Sequence, residues 1–260
     1  MMQQDKRPRA SHVGLREVVL DGWLDVQTGQ LTDGVKIRAT DTVIDVGCGD
    51  GAHINFCANQ GAEVIFIDRD AARLATTEAK VKASPAHAYR AIQSDCDPID
   101  LEDGVGDVVI CTEVLEHVDD PARFVAELVR VARPGGQLVI SVPDYRSEKL
   151  IGATAPPEYF QAPNHVRVFA AGQLRELLLQ AGLEIESEQW MGAFWGMFLA
   201  LSWLTAGHDA PLPIDNDHPI PDHWTRLWKA LQEHPDGGVI RSALNQLLPR
   251  THCIVARKPG

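Results

Sequence analysis

The run from Val43 to Gly51, Val-Ile-Asp-Val-Gly-Cys-Gly-Asp-Gly, constrains this chain more than any other stretch. Val43, Ile44 and Val46 make a short β-branched run, which predicts a strand buried on both faces of a parallel sheet. Gly47, Gly49 and Gly51 then end that strand abruptly. Glycine takes positive φ cheaply and lets backbone come close to a ligand. Ala52 to Gln60 reads as a helix, so a ligand seated in the turn would meet the orphan N–H groups at a helix N-terminus. This is the form of a nucleotide-type binding turn.

Asp45 narrows the ligand. Gly47, Gly49 and Ala52 satisfy the dinucleotide spacing G-x-G-x-x-G/A formally. A carboxylate two residues before the first glycine, however, would repel a pyrophosphate. It would attract S-adenosylmethionine, which carries an ammonium and a sulfonium and no phosphate. The pattern D-x-G-x-G-x-G, here Asp45, Gly47, Gly49 and Gly51, resembles the first motif of the class I, Rossmann-like methyltransferases that use this cofactor.

The rest of the chain alternates strands and helices. Glu63 to Ile67 predicts a strand ending at Asp68, and Asp70 caps a helix to about Lys82. His87 to Gln93 and Asp107 to Cys111 predict further strands. Asp120-Pro121 opens a helix that Pro134-Gly135-Gly136 stops, and Gln137 to Val142 follows as the next strand. A long connection covers residues 144–169. A helix to Ala181, a sixth strand from Leu183 to Trp190 and a last strand from Thr251 to Arg257 complete the set. This order predicts a doubly wound α/β sheet. Before it, residues 1–11 read as disordered and His12 to Gln27 as an apolar-striped helix.

Composition sets outer bounds. Lys and Arg number 24 against 36 Asp and Glu, a net charge of −12 that argues against a nucleic-acid backbone as partner. Five scattered cysteines without a Cys-x-x-Cys pair indicate neither a disulfide framework nor a zinc site. The polar N-terminus shows no secretory signal, so a reduced, cytoplasmic setting is expected.

Further motifs make the resemblance specific. They are Asp107-Val-Val-Ile-Cys-Thr-Glu-Val-Leu-Glu-His-Val-Asp-Asp-Pro, Arg133-Pro-Gly-Gly-Gln-Leu-Val-Ile-Ser-Val-Pro and Asn164-His-Val-Arg-Val-Phe. With the first motif they resemble the small-molecule methyltransferases related to those of ubiquinone and menaquinone biosynthesis. The resemblance implies a seven-stranded, mostly parallel sheet whose last strand is antiparallel. It implies that Asp45, Gly47, Cys48, Gly49 and Gly51 hold the methionine portion of S-adenosylmethionine and that Asp68 takes the ribose. Arg69 would flank the adenine, Asp95 and the Cys96 N–H would read its edge, and Thr112 would meet the methionine end.

An oxygen or nitrogen acceptor can require loss of a proton in the transfer, a task suited to histidine. His165, beyond the fifth strand, is the first candidate base and His117, beyond the fourth, the second. Both fall at the carboxyl edge, where open α/β sheets bind ligands. Glu113, Tyr145, Asn164 and Trp195 are candidate acceptor contacts. Glu113, Glu116 and His117 have the spacing to share one helical turn and so to ligate a divalent cation, but the plainer reading is Glu116 and His117 as a solvated or loop-bonding pair with no metal.

The departure from such relatives is the stretch 191–249. Trp190 to Gly207 is free of charge, and Pro211, Pro213, Pro219 and Pro221 suggest a stiff, non-helical connector after it. Trp224, Leu227, Trp228 and Leu231 resume a helical period able to pack on the first helix. The domains expected are a helical segment at 1–40, the cofactor domain at 41–190, a helical lid at 191–249 and the last strand at 250–260. The lid would make the acceptor a partly hydrophobic small molecule, with a homodimer or a membrane-surface contact as other uses of the apolar run. The activity implied is methyl transfer to a small molecule, at oxygen. The alternatives are a non-catalytic binder of the same cofactor and, more remotely, an NAD(P)-dependent oxidoreductase.

Overall fold

The computed structural model describes residues 9–206, 216 and 218–260. Pro211, Pro213 and the first eight residues lie outside that range. The chain divides into two compact units, taken in turn.

One unit comprises Gly22–Val142, Phe169–Gln189 and Cys253–Gly260. Its strands are β3 (Thr42–Val46), β4 (Glu63–Asp68), β5 (Tyr89–Gln93), β6 (Gly106–Thr112), β7 (Ala132–Pro143), β8 (Glu184–Met191) and β9 (Thr251–Arg257). They form a 7-stranded sheet in the order β5-β4-β3-β6-β7-β9-β8, with β9 antiparallel. β3 is an inner strand, with Asp45 in register with Phe66 of β4 and Ile110 of β6. A small hairpin, β1 (Gln30–Thr32) and β2 (Val35–Lys36), precedes the sheet. The helices are α2 (Ala52–Asn59), α3 (Ala71–Lys82), α4 (Pro121–Val131) and α6 (Gln173–Gln180). Asp70 and Asp120 cap α3 and α4 as expected, each accepting two backbone N–H groups of the first turn. The core gathers Ile44, Val46, Ile67, Val109, Leu128, Leu138 and Ile140, all fully buried.

Pro134-Gly135-Gly136, expected to separate helix from strand, lies within β7 instead. Ala132 already pairs with Gly106, and the register then jumps to Val108 with Gln137. The intervening residues bulge outward, which Gly135 permits at φ +76.

The other unit takes the residues up to Asp21, Pro143–Val168 and Trp190–His252. It contains α1 (Ala10–Leu20), α5 (Tyr145–Ile151), a 3-10 turn at Pro157–Phe160, α7 (Ala193–Ala206), α8 (Pro219–Glu233) and α9 (Gly237–Leu247). Phe194, Phe198 and Trp228 are its largest fully buried side chains, each contributing about 2–3 kcal/mol by apolar burial. The Trp195 ring packs on α1, where a Cβ on Gly14 would come 2.3 Å from its Nε1. The apolar period of α8 packs against α1 as expected, and Gln232 Nε2 donates to the Val13 carbonyl at 2.8 Å.

The structure corrects three expectations here. α1 begins at Ala10 and ends at Leu20 rather than running from 12 to 27, because Gly22 at φ +88 turns the chain away. Pro219 and Pro221 do not stiffen a connector: they open α8, where a missing N–H removes only an orphan donor. The connection 144–169 is not all loop, since Asp144 caps α5 by accepting the Arg146 N–H at 2.9 Å. No described helix is long and apolar enough to cross a membrane.

Candidate functional site

In the sheet-bearing unit, parallel register brings the ends of β3, β4 and β6 to one edge. The glycine loop leaves β3 with Gly47, Gly49 and Gly51 at φ +76, +51 and +78. At Gly47 and Gly51 the lack of a side chain is required by packing as well. A Cβ on Gly47 would lie 2.4 Å from Val114 Cγ2, and one on Gly51 would lie 2.5 Å from Thr77 Cγ2.

The loop's own donors are largely spent within the protein. Gly47 N and Cys48 N donate to the Ile67 carbonyl at 2.8 and 3.0 Å, and Gly51 N donates to the Cys48 carbonyl at 2.9 Å. Gly49 N donates to Asp68 Oδ2 at 2.8 Å. A pyrophosphate would find these N–H groups engaged and a carboxylate among them, which counts against the dinucleotide reading. From α3, Thr77 Oγ1 donates to the Gly49 carbonyl at 3.1 Å and Lys80 Nζ to the Asp50 carbonyl at 2.9 Å.

Asp45 is buried at 1% exposure, accepts the Ile54 N–H, and leaves Oδ2 without a hydrogen-bond partner. Burial first, and then the charge of Asp68, push its pKa up to about 7. The same burial with both nearby acids holds the Cys48 thiol protonated. Two adjacent buried acids and an unsatisfied oxygen suit a cation. The ammonium and sulfonium of S-adenosylmethionine meet that requirement, so the residues present fit this cofactor.

Asp68 sits at the end of β4, its Oδ1 also accepting the Asp70 N–H at 2.8 Å. Arg69 and Asp95 are exposed. Cys96 is buried at φ +66, and its N–H donates to Ser94 Oγ at 3.0 Å. Thr112 ends β6, and Glu113 follows at φ +55 with its Oε1 accepting Ser141 Oγ at 3.1 Å. A non-glycine residue held in that region costs about 1–2 kcal/mol, a strain typical of functional sites. His117 is half-buried in a 3-10 turn, its Nε2 3.8 Å from Glu116 Oε1.

His53, at the start of α2, was not singled out from the sequence. Its Nδ1 lies 3.4 Å from Thr112 Oγ1 and its ring 5.5 Å from that of Trp23. Burial lowers its pKa to about 4, so the ring is neutral. The readable signal was its place two residues after the last glycine.

In the helical unit, His165 is buried, with Nδ1 2.7 Å from Glu148 Oε2. Asn164 is exposed and donates to the Glu158 carbonyl at 3.0 Å. Tyr145 is exposed, with the Arg146 guanidinium 5.6 Å from its ring centroid. Trp195 is half-buried and meets Phe198 edge-on, a packing role in its own right.

Residues 44–140 match the family described as "Methyltransferase domain". The chain is 35% identical over 159 residues to a Mycolicibacterium smegmatis protein named a probable S-adenosylmethionine-dependent methyltransferase, covering 61% of this chain and 57% of that one. It is 32% identical over 157 residues to the ubiquinone biosynthesis O-methyltransferase of Thiobacillus denitrificans, covering 55% and 65%. It is 38% identical over 117 residues to a tocopherol O-methyltransferase of Arabidopsis thaliana, covering 42% and 32%. The chain thus spans less than two thirds of the length of each of these relatives. Among solved structures, an S-adenosylmethionine-dependent methyltransferase from Mesorhizobium loti aligns with TM-score 0.52 at 18% identity, over 84% of this chain and 90% of that one. The [4+2]-cyclase SpnF aligns with TM-score 0.56 at 21% identity, over 99% and 86%. Both solved structures share the fold, whatever their chemistry.

Proposed function

We propose, from the premise that residues 44–140 form a class I, Rossmann-like methyltransferase domain with S-adenosylmethionine as cofactor, that this chain methylates a small, partly apolar molecule at oxygen. The observation that carries the reading is the pairing of buried Asp45 and Asp68 around a glycine loop whose donors are already engaged. The relatives named as O-methyltransferases support oxygen as the acceptor atom.

In this reading Asp45 and the Gly47 to Gly51 backbone, Cys48 included, hold the methionine portion. Asp68 accepts the ribose hydroxyls, Arg69 flanks the adenine and Thr112 meets the methionine end. Asp95 and the Cys96 N–H read the adenine edge, the latter sharing its donor with Ser94. When bound, S-adenosylmethionine would supply an electrophilic methyl group on a sulfonium, a good leaving group. Holding the acceptor close and in line therefore accounts for much of the rate. His165 takes the acceptor's proton, with His117 the second candidate. Glu113, Tyr145, Asn164 and Trp195 contact the acceptor. The helical segment 191–249 selects it, and the uncharged α7 suits an apolar molecule.

The test is formation of S-adenosylhomocysteine from S-adenosylmethionine with a panel of phenols, carboxylic acids and amines of graded apolar length. Turnover on the phenols is expected. Binding of the cofactor without turnover on any acceptor would favour a non-methylating protein of this fold, and binding of NADP instead would sink the cofactor assignment. His165→Ala should retain cofactor binding and lose about 10²- to 10⁴-fold in turnover.

A further inference from the structure

Glu148 belongs to α5, a helix not expected from the sequence, and its carboxylate is almost fully buried at 2% exposure. Three side chains converge on it, Tyr159 and His165 from the chain that follows α5 and Arg250 from just before β9. Its Oε1 accepts from Arg250 Nη1 at 3.0 Å and from the Tyr159 hydroxyl at 3.0 Å. Its Oε2 lies 2.7 Å from His165 Nδ1. The Tyr159 ring stands 4.6 Å from the imidazole, and the Tyr159 carbonyl accepts the His165 N–H at 3.1 Å. Burial alone would raise the Glu148 pKa, but the His165 bond, the Arg250 charge and the Tyr159 hydroxyl outweigh it and hold the carboxyl below its ordinary range.

An ionised carboxylate only accepts hydrogen bonds. A ring nitrogen 2.7 Å from it must therefore carry the hydrogen, which places the proton of a neutral imidazole on Nδ1 and leaves Nε2 as the basic nitrogen. A base oriented by a third, buried group is the arrangement that activated-nucleophile chemistry requires. We propose that Glu148, clamped by Arg250 and Tyr159, is the positioning residue that fixes His165 in the Nδ1–H tautomer and so assigns Nε2 as the nitrogen that removes the acceptor's proton. This rests on His165 being the base, as argued above.

A merely structural ion pair would hold α5 in place, but turnover would not depend on which ring nitrogen is protonated. Long-range 1H–15N NMR on protein labelled at histidine, with His165 assigned by the signal lost in His165→Gln, reads the tautomer without any turnover. At a pH where the ring is neutral, the wild-type protein is expected to show Nδ1 protonated and Nε2 bare. An Nε2–H ring overturns the proposal without touching the base assignment.

Glu148→Gln is expected to populate the other tautomer and to lower kcat by about 10²- to 10⁴-fold on the best phenol of the panel, the range for losing a correctly protonated base. The KM for S-adenosylmethionine should stay within a few-fold. Glu148→Asp keeps the charge and should hold the tautomer and recover part of kcat, which covers the case of an unstable glutamine variant. Unchanged kcat in a Glu148→Gln protein whose tautomer has shifted overturns the proposal. Full turnover by His165→Ala overturns the base reading and this inference with it.

Discussion

Asp68 Oδ2 accepts the Gly49 N–H at 2.8 Å, so the tip of β4 holds the middle of the loop that leaves β3. The other oxygen accepts the Asp70 N–H at 2.8 Å, at the cap of α3. One carboxylate thus joins the loop to the start of the next helix while keeping further lone pairs for a ligand.

Replacing Asp68 with alanine is therefore expected to weaken S-adenosylmethionine binding by about 1–3 kcal/mol, through a lost charged acceptor and a loosened loop. Asp68→Asn retains one acceptor and should fall between the two. Titration calorimetry on folded variants reads both, and unchanged affinity in Asp68→Ala would remove the residue from the cofactor site.

Gly47 cannot accept a side chain without strain. At φ +76 an alanine costs about 1–2 kcal/mol in backbone strain, and its Cβ would press on Val114 Cγ2 at 2.4 Å. Gly47→Ala is expected to lower the melting temperature and the cofactor affinity together. Adding Val114→Ala relieves the collision but not the φ penalty, so the double variant should recover only part of the loss. Complete recovery would show that the left-handed backbone is dispensable.

The sheet was legible because its signals are local. β-branched runs, glycines after β3 and the caps Asp70 and Asp120 each act within a few residues, and each appears where expected. The acids Asp45 and Asp68 were legible for the same reason, since strand ends in a parallel sheet share an edge. The helical unit was harder. α5 is one of its shorter helices, and the main sign of it is Asp144, which also reads as a turn residue. The Glu148–His165 contact links residues 17 apart through a fold that no periodicity encodes. Pro219 and Pro221 were misread because proline breaks a helix interior but favours its first turn.

The raised pKa of Asp45 predicts a pH dependence of cofactor binding. Burial and the charge of Asp68 favour the neutral form in the free site, with a pKa of about 7. A cationic ligand favours the ionised form, so binding below pH 7 must release a proton. Affinity should therefore fall on going from pH 7 to pH 5, by up to about tenfold per pH unit. Asp45→Asn should bind more weakly at pH 7 and flatten the profile. A wild-type affinity independent of pH across this window would mean that Asp45 does not face the cofactor's positive charge.

Glu17 offers a second titration, within the helical unit. It is 1% exposed, its Oε1 accepts the Phe194 N–H at 3.3 Å, and its Oε2 has no hydrogen-bond partner. The residue thus caps α7 from α1, beside Asn245, whose Oδ1 accepts the Ala193 N–H at 2.9 Å. Burial and then the nearby charge of Asp21 raise its pKa from 4.5 to about 8. Between these values the folded state holds a proton that the unfolded chain has lost. The stability linked to this group is fully present below about 4.5 and is lost as pH rises through about 8, at up to about 1.4 kcal/mol per pH unit. Glu17→Gln keeps the cap to Phe194 and cannot ionise. It should raise the melting temperature at pH 8 and leave it nearly unchanged at pH 4.5, so that the two melting profiles converge in acid. Profiles that run parallel from pH 5 to pH 9 would show that Glu17 is already ionised in the folded protein.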